Sequence, residues 1–183
     1  MKRTLFILSL VFLAGTVLWS QESIVTLSGG YAWANLEDAD QNATGYRING
    51  LYEFNPNEGM VAHGISFGYI HTSAESDITD GVEYKLNSWP IYYAPKVLFG
   101  KNKLHAFAKG ALGLHFSGYK RTGGATELDT NDTGFYGGVG AGALLLIKGS
   151  IHINVEYEWA YLSNSWYQDG FINSAMAGLV IRF

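Results

Sequence analysis

From Phe171 to Phe183 the chain alternates. Phe171, Asn173, Ala175, Ala177, Leu179, Ile181 and Phe183 form one largely apolar row, and Ile172, Ser174, Met176, Gly178, Val180 and Arg182 form the other. A period of two is that of a β-strand, whose successive side chains point to opposite faces. The same alternation recurs along the chain and constrains its fold more than any other feature. Each such strand has one apolar row to bury or to shield from water. No cysteine is present to brace the sheet.

Period-two runs bounded by turn residues give eight segments: 24–36, 43–54, 60–73, 83–99, 104–118, 133–147, 151–161 and 171–183. The connections alternate in length. Residues 55–59, 100–103 and 148–150 make short turns, and 37–42, 74–82, 119–132 and 162–170 are longer. Ten of the 16 acidic residues lie in the longer connections: Glu37, Asp38, Asp40, Glu75, Asp77, Asp80, Glu127, Asp129, Asp132 and Asp169. Of the basic residues only Lys120 and Arg121 lie there, whereas Lys101, Lys103 and Lys148 lie in the short turns, with Glu58 the exception. Charge thus separates by side, as in a molecule with two distinct ends.

Residues 1–20 pair Lys2 and Arg3 with an apolar run from Leu5 to Leu18, the pattern of a signal peptide, which leaves 21–183 as one domain. Removing Lys2 and Arg3 takes the net charge from −4 to −6, which argues against nucleic-acid binding. After the leader, 133–147 is the best candidate for a membrane helix. It is short and carries Gly134, Gly137, Gly138, Gly140 and Gly142, each unfavourable inside a helix. The remaining route across a bilayer is a closed antiparallel barrel.

Segment 151–161 orients the faces. Ile151, Ile153, Val155, Tyr157, Trp159 and Tyr161 share one row, and His152, Asn154, Glu156, Glu158 and Ala160 the other. Glutamates facing lipid are costly, so the aromatic and β-branched row is the lipid face. The interfacial aromatics expected from strand ends include Trp33, Tyr69, Tyr84, Trp159, Tyr161 and Phe183. His63 shares the parity of Ile65 and Phe67 and so faces lipid near the inner rim or marks a bulge. Pro90 and Pro95 predict bulges in segment 83–99, or a shorter strand.

Eight strands leave an interior just wide enough for side chains. The expected polar network in the lumen is Arg47, Glu53, Lys85, Lys109, His152, Glu156 and Glu158, with Trp89 also inward and Tyr92 outward. Long charged side chains there reach toward glycine-lined walls and pair, with Arg47 or Lys109 opposite Glu156. A packed interior is favoured over a diffusion pore. The histidines at 63, 71, 105, 115 and 152 lack metal-ligand spacing, and no cofactor or metal is expected.

The leader, the eight alternating segments, the order of short turns and long loops, and terminal Phe183 resemble the OmpA/OmpX-type outer-membrane β-barrel proteins. The resemblance implies an eight-stranded up-and-down transmembrane barrel in the outer membrane of a Gram-negative-type bacterium. It implies contact with outer-membrane lipids and lipopolysaccharide, and recognition of Phe183 by the insertion machinery. It implies no catalytic residues, and a structural or surface-interaction role through acidic outer loops. Those loops suggest divalent cations bridging to lipopolysaccharide, and 119–132 is the first candidate for a partner contact. One stretch is similar to the His-x-Ser-Asn motif of PagL-type lipid A deacylases: Tyr161-Leu162-Ser163-Asn164 aligns Ser163 with the nucleophile but puts Tyr161 where the histidine belongs. A small ion channel and a soluble periplasmic lipocalin-like carrier complete the alternatives. The carrier requires inverted faces and a Gly-x-Trp motif that Gly30-Tyr31-Ala32 lacks.

Overall fold

A computed structural model of the protein describes residues 22–36, 42–55, 60–76, 81–101, 103–123 and 127–183. The leader and the acidic positions Glu37, Asp38, Asp40, Asp77 and Asp80 lie outside the described residues. The strands are β1 (Glu22–Asn35), β2 (Asn42–Asn55), β3 (Val61–Glu75), β4 (Glu83–Tyr93), β5 (Lys96–Lys101), β6 (Leu104–Thr122), β7 (Leu128–Lys148), β8 (Ile151–Leu162) and β9 (Phe171–Arg182). All pairings are antiparallel, and β9 returns to β1 to close the sheet. At the seam Ser23 N donates to Phe183 O at 3.0 Å and Phe183 N donates to Ser23 O at 2.9 Å. Closure satisfies the backbone groups that an open edge would leave unpaired in lipid.

β4 and β5 are two halves of one stave, giving an eight-stave barrel. Both pair with β3 and with β6. The break falls at Ala94 and Pro95, yet Ala94 N donates to Gly64 O and Gly110 N to Pro95 O, both at 2.8 Å. Of the two outcomes expected at the prolines, the shorter strand is found, since β4 ends at Tyr93, and no register shift marks a bulge there. Pro90 stays within β4 opposite His115, and the register with β6 runs unbroken across Pro95. A register shift occurs instead between Leu146 and Lys148, where β7 meets β8.

The register also sets the tilt. Cross-strand partners lead from Val25 through Tyr52, Ile65, Tyr93, Leu112, Gly137 and Tyr161 to Phe171. The β9–β1 register, with Trp33 opposite Asn173, brings Phe171 level with Asn35, ten residues beyond the start (25 to 35). A stagger of this kind goes with strands inclined by roughly 35–45° to the barrel axis.

Burial alternates as the sequence pattern requires, strictly so in β8, where each even-numbered residue from His152 to Leu162 is buried and each odd-numbered one exposed. Leu27, Ile48, Ile65, Phe67, Leu112, Val139, Val155 and Leu179 are among the large apolar side chains exposed on the outer wall. The expected loop 119–132 is mostly a strand extension, with Lys120 opposite Asp129 and Arg121 opposite Leu128. Beyond the bilayer both faces are wet, so a strand there needs no apolar row and reads as a loop.

Candidate functional site

The inward rows converge on a buried ionic network at mid-height. Arg47 from β2 reaches Glu158 on β8, Nη1 to Oε1 at 2.7 Å, with both side chains fully buried. Lys109 from β6 pairs with Glu156 and, at 2.6 Å, with Glu158. Lys96 from β5 pairs with Glu53 of β2 at 2.7 Å. The three cations and three carboxylates balance, so no counter-ion is needed. Mutual pairing offsets the desolvation that isolated buried charges would suffer.

Aromatic hydroxyls complete the network. The Tyr136 hydroxyl donates to Glu158 Oε1. Arg47 Nη2 donates to the Tyr92 hydroxyl at 3.0 Å, and that hydroxyl donates to Asn49 Oδ1 at 3.2 Å. The Tyr92 and Tyr136 rings stack at 4.9 Å, with the Arg47 guanidinium 6.0 and 5.9 Å from their centroids. Gly140 faces both Lys109 and Glu158 across its two ladders. A Cβ there would stand 3.3 Å from Glu156 Oε1 and 3.5 Å from Lys109 Cε, so the bare backbone makes room for the pair.

Apolar tiers lie on either side of this layer. Toward the short turns Ile24, Phe107, Leu144 and Val180 form a buried cluster with Leu98 against it. Lys96 Nζ sits 4.7 Å from the Phe107 ring centroid and joins this tier to the ionic layer. A space of about 20 Å³ between Leu98, His105, Leu144, His152 and Arg182 is on the scale of a single water. Toward the long loops, Leu36, Ile70, Leu86, Tyr119, Leu162, Tyr167 and Ile172 fill the mouth.

Tyr167 comes from the connection between β8 and β9, which folds inward as a cap. Its hydroxyl meets Thr72 Oγ1 at 2.9 Å, its backbone bridges Leu36, and burial pushes its pKa up to about 12. Asn164 Oδ1 accepts from Trp166 N and Tyr167 N at 3.1 and 3.2 Å, and Trp166 stacks on Tyr119. These bonds hold the turn that carries Tyr167 inward.

Of the residues expected in the lumen, Arg47, Glu53, Lys109, His152, Glu156 and Glu158 are buried on inward rows. Lys109 pairs with Glu156, whereas Arg47 takes Glu158. Lys85 is a correction: it lies on the outer face of β4, 42% exposed, and pairs with Glu83 at 2.7 Å. Tyr84, expected at the membrane interface, is buried in the mouth against Tyr119. Trp89 points outward and Tyr92 inward, so the whole of β4 has the opposite parity to that expected. Both rows of the segment 83–99 contain a lysine and aromatics, Lys85 on one and Lys96 on the other, and a lysine at the wet rim costs nothing. Lys96, missed in the sequence, occupies the inward place assigned to Lys85.

Trp159 and Tyr161 are exposed on the outer wall beside Phe171, and Trp33 and Tyr69 lie partly exposed on the same surface. Phe183 is 68% exposed. His63 faces outward between Phe54 and Tyr93 and bonds the Tyr93 hydroxyl. Ser163 Oγ accepts from Phe135 N at 2.6 Å, while Tyr161 packs edge-on against Phe171. Among the described residues no three His, Asp or Glu side chains converge on a metal site.

A family model described as the outer membrane protein beta-barrel domain matches residues 4–183. Comparison with the curated proteins returns no match. Among solved structures, the chain is similar to Neisserial surface protein A (NspA), at TM-score 0.62 and 15% identity, covering 88% of this chain and 97% of that one. It is similar to Ail, the attachment invasion locus protein of Yersinia pestis, at TM-score 0.57 and 17% identity, covering 89% and 99%. Ail has also been solved in complex with the heparin analogue sucrose octasulfate. The outer membrane enzyme PagL matches at TM-score 0.51 and 14% identity, covering 85% and 98%. At these identities the likeness concerns the fold.

Proposed function

Because the chain belongs to the outer membrane protein β-barrel family, a family of the Gram-negative outer membrane, we propose that it is a closed barrel working through its exposed outer rim. It acts as a structural or surface-interaction protein, without a pore or a catalytic centre. The observation that carries this reading is the filled lumen. A charge-balanced ionic layer lies between two apolar tiers, and the mouth is capped by Tyr167. Such an interior supports a rigid scaffold and leaves specificity to the outer connections. Residues 1–20 are read as the export signal and 21–183 as the barrel. Membrane lipids are its constant partners.

Ail's complex with a heparin analogue is a precedent for surface recognition on this fold. The acidic bias of the outer connections here argues for a partner other than a polysulfated one. Of the alternatives, the deacylase keeps one argument, that Ser163 stands at the outer end of β8. Its hydroxyl is engaged by Phe135 N, and Tyr161 supplies no base. Two measurements test the proposal: heat-modifiable gel mobility of refolded protein, and conductance in planar bilayers. A boiling-dependent shift with no stepwise conductance is expected. Stable unitary currents would overturn the closed-barrel reading in favour of a channel, and a soluble monomer without a shift would overturn the membrane reading.

A further inference from the structure

The outer rim holds a pocket of about 420 Å³ where β1 and β9 meet the cap, within the ~300–1,000 Å³ range of ligand sites. Its aromatic walls are Trp33 and Phe171. Trp33 stacks on Tyr31 at 5.6 Å and leans on Tyr157, and Phe171 stacks on Trp159 at 4.4 Å. Around these rings stand Asn35, Asn42, Gln168, Asp169 and Asn173. Asn35 Nδ2 donates to Gln168 Oε1 at 3.3 Å, and the Tyr157 hydroxyl donates to Asn173 Oδ1 at 2.5 Å. These bonds orient three amides, and among the described residues Asn35 Oδ1, Gln168 Nε2 and Asn173 Nδ2 are left to bond a ligand. Asn42 and the Asp169 carboxylate have no side-chain partner among the described residues. Asp169 is held at φ +54°, the one non-glycine residue at positive φ among the described residues, so the cap fixes its backbone in a conformation that costs energy.

Flat aromatic faces beside planar amides and a carboxylate match a pyranose, which offers C–H faces to the rings and hydroxyls to the amides. Among the described residues no lysine or arginine lines the pocket, so these residues offer no cation to a phosphate or a sulfate. It opens on the outer wall, where Trp33 and Asn173 are directly opposite on the exposed rows of β1 and β9. That is the height of the aromatic girdle, where membrane headgroups lie. We propose that this pocket binds a neutral sugar in the headgroup of an outer-leaflet glycolipid. The assignment rests on the outer-rim reading above and gives that rim a ligand class.

The test uses the full barrel in phospholipid nanodiscs, after its heat-modifiable mobility has been verified. Failure of that mobility counts against the barrel reading before any sugar is added. NMR then follows the side-chain amides of Asn35, Asn42, Gln168 and Asn173 and the Trp33 indole N–H during titration with methyl β-glucoside and N-acetylglucosamine. Saturable shifts confined to this set are expected, with the same set shifted in nanodiscs containing rough-type lipopolysaccharide. Trp33→Ala and Asn173→Ala are each expected to weaken sugar binding by about tenfold while keeping the mobility shift. Shifts with free sugar but none with the glycolipid discs would overturn the membrane source. No saturable shift with either sugar, or tighter binding of sucrose octasulfate, would overturn the site.

Discussion

Arg47 and Glu158 meet at 2.7 Å although β1 and β9 lie between their strands. The contact therefore passes through the interior and ties opposite walls of the barrel together. Lys109 and Tyr136 converge on the same carboxylate. Glu158 is the node of the lumen, and its loss would leave both Arg47 and Lys109 short of a partner.

Glu158→Ala is therefore expected to destabilise the folded barrel by about 3–5 kcal/mol, because a buried charge is left uncompensated. Replacing Arg47 and Glu158 together with methionine should cost less than Glu158→Ala alone. Reversible urea unfolding in lipid vesicles measures both. Equal losses would mean that the ionic pairing does not govern stability.

Gly140→Val should destabilise by about 1–3 kcal/mol, since a branched side chain intrudes between Lys109 and Glu156. Gly50→Ala is the control. The nearest atom to its added Cβ is Phe67 O at 3.8 Å, and its cost should stay within about 0.5 kcal/mol. The same unfolding assay compares them.

The lower tier is the thinner of the two seals. Phe107 rests against Gly142, and with Leu144 it covers the side of the ionic layer toward the short turns. Phe107→Ala combined with Leu144→Ala should admit water there and raise ion leak in planar bilayers above that of the parent protein. An unchanged leak would mean that the cap and the ionic layer suffice to close the lumen.

Ser163→Ala removes the acceptor for Phe135 N and should cost about 0.5–1.5 kcal/mol. It should leave the acyl pattern of co-incubated lipid A identical to that seen with the parent protein, with no fatty acid released by either. Mass spectrometry of the lipid provides the readout. Acyl release by the parent protein that is lost in the variant would revive the deacylase reading.

Much of this architecture was legible because a strand's burial period is local. Glu156 and Glu158 share a row with His152 and face away from Trp159, and no distant contact is needed to see that one row meets lipid. β4 was misread because the rule that charges point inward holds only at bilayer depth. Lys85 is at the rim beside Glu83, in water, while the buried Lys96 lies beyond the Ala94–Pro95 break. The cap was unreadable for a different reason. Nothing near Tyr167 in sequence announces Thr72 or Leu36, its partners across the mouth.

The sequence alone determined the strand count, the turn order, the lipid-facing rows and most members of the lumen network, since each depends on spacing within a strand or on composition along it. Only the tertiary structure decided that Arg47 takes Glu158, that Lys96 replaces Lys85, that the prolines interrupt a stave without shifting its register, and that Trp33 and Asn173 share a pocket with the cap. Those outcomes depend on the ten-residue stagger (25 to 35) accumulated around the closed sheet, which sets residues far apart in sequence at one height. A strand's own pattern carries its faces, while closure, a property of all eight staves at once, decides what each inward side chain meets.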